Sequence, residues 1–473
     1  MALPGPKQVV RIGRDALRNQ VWPLPTIAVV LAVAAGILLP QLDKELGDQI
    51  PDQLTAYLFG GGAEAARSVL NAIASSQITV TSLTFSLTVV TLQLASSQFS
   101  PRLLRTFSRD RFVHVTLAMF VATFIYSVTV LRTVRTGTDG QDVFVPQISV
   151  TFAFVLVVAS VLALVLFLAH LAREIRVETM LENVHADASG TLRGLLPPRG
   201  ETRAPGERLP TPPVDAWPLL APSSGFLTAV DDERLLETAV SHDVVVWLDR
   251  QPGASLARGA PMGAFWPYNG ADVDAEVQSQ VKEVIAAAVH TGFERTPVQD
   301  VGFGLRQLTD VANKALSPGI NDPTTAVHAL DHSSALLCEL VGRELGPRVI
   351  RDDDDRVRVV LRRPDLAALL ELAVSQPRRY GASDALVLGR IAALLGEVGW
   401  TVTEPHERRV VAEQLTRLMA TIADQDFDDV ERAQLSNLVD VARLALSRQW
   451  APVDAFGRSH EHARSPGLQQ LSG

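Results

Sequence analysis

Four stretches free of Asp, Glu, Lys and Arg lie within the first 175 or so residues of this 473-residue chain, and they constrain its fold more than any other feature. Residues 21–40 and 112–131 are apolar runs, and 148–171 is a third, almost wholly Val, Leu, Ala and Phe; each is long enough to cross a bilayer core, which takes about 20 residues of helix. Residues 69–94 are also uncharged but rich in Ser, Thr and Gln. The flanking charges require this fourth stretch to cross as well. Lys7, Arg11, Arg14 and Arg18 precede the first run, Arg102, Arg105, Arg109 and Arg111 lie between the second and third, and Arg173 and Arg176 follow the last. Segment 41–66 is acidic, with Asp43, Glu45, Asp48, Asp52 and Glu64 against Lys44. Basic loops stay in the cytoplasm, so the expectation is a four-span, multi-pass helical bundle with both termini cytoplasmic. Ala32-Val33-Ala34 resembles a signal-peptidase site but falls in mid-span, so the first run is expected to be retained.

Beyond residue 180 the chain changes character. The spans account for the apolar excess: charged residues are 20% overall, below the roughly 25% usual in soluble proteins, and the remainder reads as soluble. The single cysteine, Cys338, leaves no disulfide framework, thiolate zinc site or iron–sulfur cluster. A net charge of -9 argues against nucleic acid as a partner, because such binding depends on neutralising phosphates. The expected organisation is a four-helix transmembrane domain at 1–180, a Pro-, Gly- and Arg-rich linker at 181–217, a small strand-rich module at 218–268, a mainly helical cytosolic domain at 269–450 and a tail at 451–473. The fold class is therefore a membrane α-helical bundle followed by an α+β region. Turns at Pro252-Gly253 and Gly259 give the module a spacing similar to half of a lipoyl or barrel-sandwich domain, without the lysine that such domains modify.

The polar second span is the most informative segment. At about 100° per residue, Ser75, Thr79, Ser82, Ser86, Val89, Gln93 and Ser97 fall within about 40° of one line. Gln77, Thr81, Thr84, Thr88 and Thr91 form a second stripe opposite. Two readings stand. Small hydroxyls bond back to their own helix or across to neighbours in many membrane bundles. Alternatively, one stripe lines a water-filled path about an oligomer axis, with Val89 as an apolar constriction, while the other packs inside the subunit. With no ionisable group in this span, a proton pump working through an intramembrane carboxylate is disfavoured. Arg102, Arg105, Arg109 and Arg111, interleaved with Phe and Leu, belong either to an interfacial helix on lipid phosphates or to the inner mouth of a pore.

Residues 299–326 (QDVGFGLRQLTDVANKALSPGINDPTTA) predict a helix stopped at Ser317-Pro318-Gly319 and a second helix capped at Asn321 or Asp322, with Pro323 in its first turn. Arg306, Asp310, Asn313, Lys314 and Asn321 are candidates to converge at that turn, with Gln307 beside them in the motif, either as a polar network fixing the hairpin or as a ligand site at the new helix's N-terminus. Segments 76–105 and 303–326, the latter with its SPGINDPTTA core, resemble those of a family of bacterial predicted integral membrane proteins catalogued as a domain of unknown function. The resemblance implies a polytopic inner-membrane protein with a cytosolic domain and carries no activity.

No Walker loop, HExxH, nucleophile elbow or dinucleotide glycine run is present, and neither an enzymatic role nor a cofactor is expected. His328 and His332 at helical i, i+4 spacing read as surface histidines rather than metal ligands, and the acidic run 352–355 reads as a solvated turn rather than a calcium loop. Two functions remain open. One is a homo-oligomeric channel for small ions, lined by the second span and regulated by the cytosolic domain. The other is a membrane-anchored scaffold or sensor whose hairpin at 317–323 binds a partner or ligand.

Overall fold

The structure, a computed structural model, describes residues 23–46, 57–98, 110–136, 143–174, 176–200, 209–270 and 273–449. The chain divides into two compact units, Met1–Arg176 and Val177–Gly473.

The first unit holds four helices long and apolar enough to cross a membrane: α1 (Pro23–Leu46), α2 (Ala63–Gln98), α3 (Arg111–Leu131) and α4 (Gln147–Glu174). Helix α3 is the hub, packing on α1, α2 and α4. Close packing of α1 on α3 depends on Gly36, where a Cβ would stand 2.8 Å from Thr129 Cβ. The burial pattern is that of a lipid-facing bundle. Large apolar side chains such as Leu31, Leu38, Val161, Leu162 and Val165 point outward, whereas Thr123, Ser127, Ser149 and Ser160 are buried among Phe120, Tyr126, Val150 and Phe167. A bundle in water would place most of its small polar groups outside. Inside, Thr123 and Ser160 share a hydroxyl hydrogen bond at 3.2 Å, and the Tyr126 hydroxyl donates to Ser149 O at 3.0 Å.

In the second unit, helix α5 (Val177–Leu195) runs through Gly190 and Gly194, well into the segment read from sequence as linker. Tertiary packing overrides the weak helix propensity there: Met180, Leu181, Val184 and Leu192 are buried, and α5 packs on α8 (Phe303–Ala315) and α9 (Pro323–Val341). The contact is tight at Gly304, where a Cβ would lie 2.2 Å from Ala188 Cβ.

Five strands form one sheet in the order β1-β5-β3-β8-β7: β1 (Trp217–Leu220), β3 (Val244–Leu248), β5 (Pro261–Pro267), β7 (Arg348–Arg351) and β8 (Val357–Leu361). Only the β3–β8 pair is parallel. A second sheet has the order β4-β2-β6, from β2 (Gly225–Val230), β4 (Ser255–Leu256) and β6 (Val289–Gly292). Strands from beyond residue 268 thus complete both sheets, and the 218–268 segment is not closed on itself. Helices α6 (Asp232–Ser241) and α7 (Ala275–Ala288) contribute Leu235, Val281 and Ile285 to the core shared with Leu227, Val246, Phe265 and Val359.

The acidic run is the β7–β8 turn. Asp352 accepts from the amides of Asp354 and Arg356 and from Arg358 Nε at 2.7 Å, and the Arg358 guanidinium stacks over Tyr268. The rest of the unit is helical: α10 (Leu366–Tyr380), α11 (Ala385–Thr401), α12 (Pro405–Ala423) and α13 (Asp429–Leu446).

Candidate functional site

Helix α2 buries one narrow seam. Ala63, Ala66, Leu70, Ile73, Gln77, Thr84 and Thr91 are inside, with Gln77 and Thr84 only 2% and 0% exposed. Positions 63, 70, 77, 84 and 91 recur every seven residues, the repeat that keeps one face against a neighbouring helix. This seam lies about 180° around the helix from Ser75, Thr79, Ser82, Ser86, Val89 and Gln93, all of which are exposed. The two polar stripes are therefore sorted: part of the second packs inside the first unit, and the first is left exposed by the described residues. Ser97 lies in α2, but its side chain is outside the described residues.

Threonine hydroxyls on both stripes bond back to carbonyls of their own helix. Thr81, Thr88 and Thr91 donate to the carbonyls of Gln77, Thr84 and Leu87 at 2.6, 2.8 and 2.9 Å, and on the outer stripe Thr79 donates to Ser75 O at 3.0 Å. Such back-bonding satisfies a hydroxyl without help from another helix. Among the described residues, the side chains of Ser82, Ser86 and Gln93 have no hydrogen-bond partner. Left in hydrocarbon, an unpaired amide such as that of Gln93 costs several kcal/mol. Buried Gln77 Oε1 and Thr84 Oγ1 also have no partner.

Near the start of α3, Asp110 caps the helix by accepting from Phe112 N at 2.8 Å, and its second oxygen lies 2.5 Å from His170 Nε2 of α4. This pair ties the end of α4 to the beginning of α3. Arg111 is exposed in the first turn of α3. Arg102, Arg105 and Arg109 lie outside the described residues.

In the second unit, the 303–326 hairpin is fixed by local bonds. Ser317 Oγ donates to Lys314 O at 2.6 Å, Ile320 N and Asn321 N donate to Ser317 O, and Asn321 adopts a left-handed φ of 51°. Asp322 caps α9, accepting from Thr325 N at 3.1 Å and Thr325 Oγ1 at 2.5 Å, and these two bonds hold its carboxyl below the usual range. Pro323 occupies the first turn, and Pro318, Gly319 and Asn321 are exposed.

Lys314 lies in the last turn of α8, beside Ser317; the remaining candidates do not converge on this turn. Asn313 Nδ2 donates to Gln376 Oε1 of α10 at 2.6 Å, Gln307 is buried on α8, and Arg306 lies on the far side of α8, near Asp300. Asp310 is partly buried in the middle of α8. Nine residues of helix, about 14 Å, separate Arg306 from Ala315 at the end of α8, too far for a ligand shared with the turn. Sequence reasoning placed them together because it weighed residue type without helix length. His328 and His332 also part: His328 lies beside Asp322, whereas the His332 ring packs on His185 of α5 with centroids 5.4 Å apart. Among the described residues, no group of three or more His, Cys, Asp or Glu side chains is arranged to hold a metal ion.

Comparison with known proteins places this geometry in a family. A family model described as "Predicted membrane protein (DUF2254)" matches residues 18–397. An uncharacterized protein of Mycobacterium bovis and one of Mycobacterium tuberculosis are each 37% identical to the chain over 448 residues, which is 94% of this chain and 84% of each relative. No solved structure matches it.

Proposed function

The chain belongs to the DUF2254 family of predicted membrane proteins, and from that premise we propose that it is a homo-oligomeric channel for small ions in the plasma membrane. The outer stripe of α2 lines the conduction path, and the second unit, on the cytoplasmic side, regulates it. The role is one of transport, with no enzymatic reaction in either unit.

The carrying observation is the uncovered stripe Ser75–Thr79–Ser82–Ser86–Gln93, opposite a buried seam on the same helix. A helix with that face toward lipid would hold unpaired hydroxyls and an amide in hydrocarbon. Copies of α2 arranged about an axis give those groups water instead. Hydroxyl and amide oxygens there replace part of an ion's hydration shell without trapping it, since no full charge is present. Val89, 37% exposed and within the stripe, narrows and dries the path at one level.

The test is ion flux into vesicles reconstituted with purified protein, with single cysteines at 82, 86 or 93 in a Cys338→Ala background. Flux that is altered by small water-soluble thiol reagents at these sites is the expected result. Protection of all three sites together with no flux overturns the channel and leaves the scaffold or sensor reading. That alternative is favoured by the exposed tip Pro318–Gly319–Ile320, held on a hairpin whose backbone is locked by Ser317 and Asp322.

A further inference from the structure

A cavity of about 970 Å³ opens in the second unit between the end of α5, the segment leading into β7, and the first turns of α10 and α12. Five guanidinium groups from separate parts of the chain line it: Arg199, Arg343, Arg348, Arg351 and Arg363. Four carboxylates also line it, so the local pairing decides its character. Arg199 donates to Glu407, and these two charges cancel. Asp365 accepts from Ala368 N as the cap of α10, while Glu344 and Glu404 are the other two. Arg348 pairs with Asp232, whose carboxylate also acts on Arg363.

Arg343 and Arg363 are different. Arg343 donates to Leu196 O at 3.1 Å and Arg363 to Leu195 O at 3.0 Å, and neither has a carboxylate partner among the described residues. Both are anchored on neutral carbonyls at the end of α5, which fixes their position; the Asp232 carboxylate acts on Arg363 and that of Glu339 on Arg343 without forming an ion pair. The cavity also receives the N-terminal ends of two long helices, of which α12 has no side-chain cap. Helix N-termini favour anions. Apolar surface completes the wall, including Leu345 and Val410.

We propose that this cavity binds a phosphate-bearing small molecule of nucleotide size, with its phosphates on Arg343, Arg348 and Arg363 and its apolar part against Leu345 and Val410. The volume lies at the upper end of the 300–1,000 Å³ range usual for small-molecule sites. Burial and the neighbouring Arg348 lower the Arg363 pKa to about 10, against the opposing Asp232 carboxylate. The assignment stands apart from the pore, because binding is measured without reference to flux.

Isothermal titration of the full-length protein in detergent, without magnesium, tests it with ATP, inorganic pyrophosphate and adenosine. ATP is expected to bind saturably, pyrophosphate to compete with it, and adenosine alone not to bind. Arg343→Gln and Arg363→Gln should each weaken ATP binding by roughly tenfold or more. Val410→Trp, which keeps every charge but puts an indole where the apolar part of the ligand packs, should weaken ATP binding. Arg443→Gln, at an exposed pair with Asp440 on α13, should leave binding unchanged. Circular dichroism identifies any variant that fails to fold. If Arg363→Gln does so, Arg343→Gln and Val410→Trp decide. The absence of saturable ATP binding up to millimolar concentration overturns the proposal, as does ATP affinity unchanged in both Arg343→Gln and Val410→Trp.

Discussion

At the scale of single residues, Asp43 shows how a charge survives inside the membrane-spanning unit. It sits in the last turn of α1, 8% exposed, and accepts from Ile148 N at 2.8 Å, Ser149 N at 3.0 Å and Ser149 Oγ at 2.6 Å. The carboxylate thus caps the first turn of α4 from another helix. Replacing it with Ala leaves three donors, two of them buried, without an acceptor, and Asp43→Ala should destabilise the protein by about 2–3 kcal/mol. Thermal unfolding in detergent measures this, and Ser149→Ala, which removes one of the three donors, should cost less. From sequence, Asp43 is only one of several acids after the first span, because its partners lie about a hundred residues away. The Asp322 cap, by contrast, is legible at once, since Asp322, Pro323 and Thr325 are neighbours in the chain.

His332 gives the second prediction at this scale. Burial, followed by the nearby His185, lowers its pKa below 6.5; Asp331 and Glu182 oppose the shift, and His328 adds to it. Asp331 also pairs with Arg390 of α11. A depressed histidine pKa means that the unfolded chain binds the proton more readily, so its contribution is complete above about pH 6.5 and is lost as pH falls toward the lower folded value. The melting temperature should therefore drop between pH 7 and pH 5, and His332→Gln should flatten that part of the profile. Equal pH dependence in the two proteins would remove His332 from the account.

At the scale of elements, α2 and α5 teach opposite lessons. The two stripes of α2 were legible because helical periodicity is a property of the chain alone. Which stripe turns inward was not, since it depends on where α3 packs. Cysteine scanning makes the distinction measurable: positions 82, 86 and 93 should react with water-soluble thiol reagents, while 84, in the buried seam, and 83, on the lipid-facing flank, should not. Val89→Ser should raise flux by wetting the constriction. Helix α5 was hidden because Gly190 and Gly194 weaken its local signal, and only the faces of α8 and α9 make it continuous. Gly304→Val should force α5 away from α8, with a cost of about 1–3 kcal/mol from overpacking against Ala188. Faster proteolysis after Arg193 would report it.

At the scale of the whole molecule, the boundary between the two units predicts which fragment folds. A fragment beginning at Val177 retains α5, whereas one beginning at Pro218 exposes the faces of α8 and α9 that bury Leu181, Val184 and Leu192. The longer fragment should be monodisperse and largely helical by circular dichroism, and the shorter one should aggregate. Two equally stable fragments would mean that α5 adds nothing to the fold. For the bundle, a reporter fused after Gly61 should read as exterior and one after Gly225 as cytoplasmic, as the basic flanks require.

The sequence by itself determined the four membrane-capable helices, the caps and turns of the 303–326 hairpin and most of the later helices. Each of these follows from periodicity, hydropathy or contacts within a few residues. Tertiary structure alone decided the pairing of β3 with β8, the continuity of α5, the clamp of Asp43 on α4 and the gathering of Arg343, Arg348 and Arg363 around one cavity. Those arrangements join residues from about fifteen to more than a hundred positions apart, and no local pattern encodes a partner that distant. Packing selects it, by burying apolar surface and leaving each polar group the acceptors that happen to lie within reach.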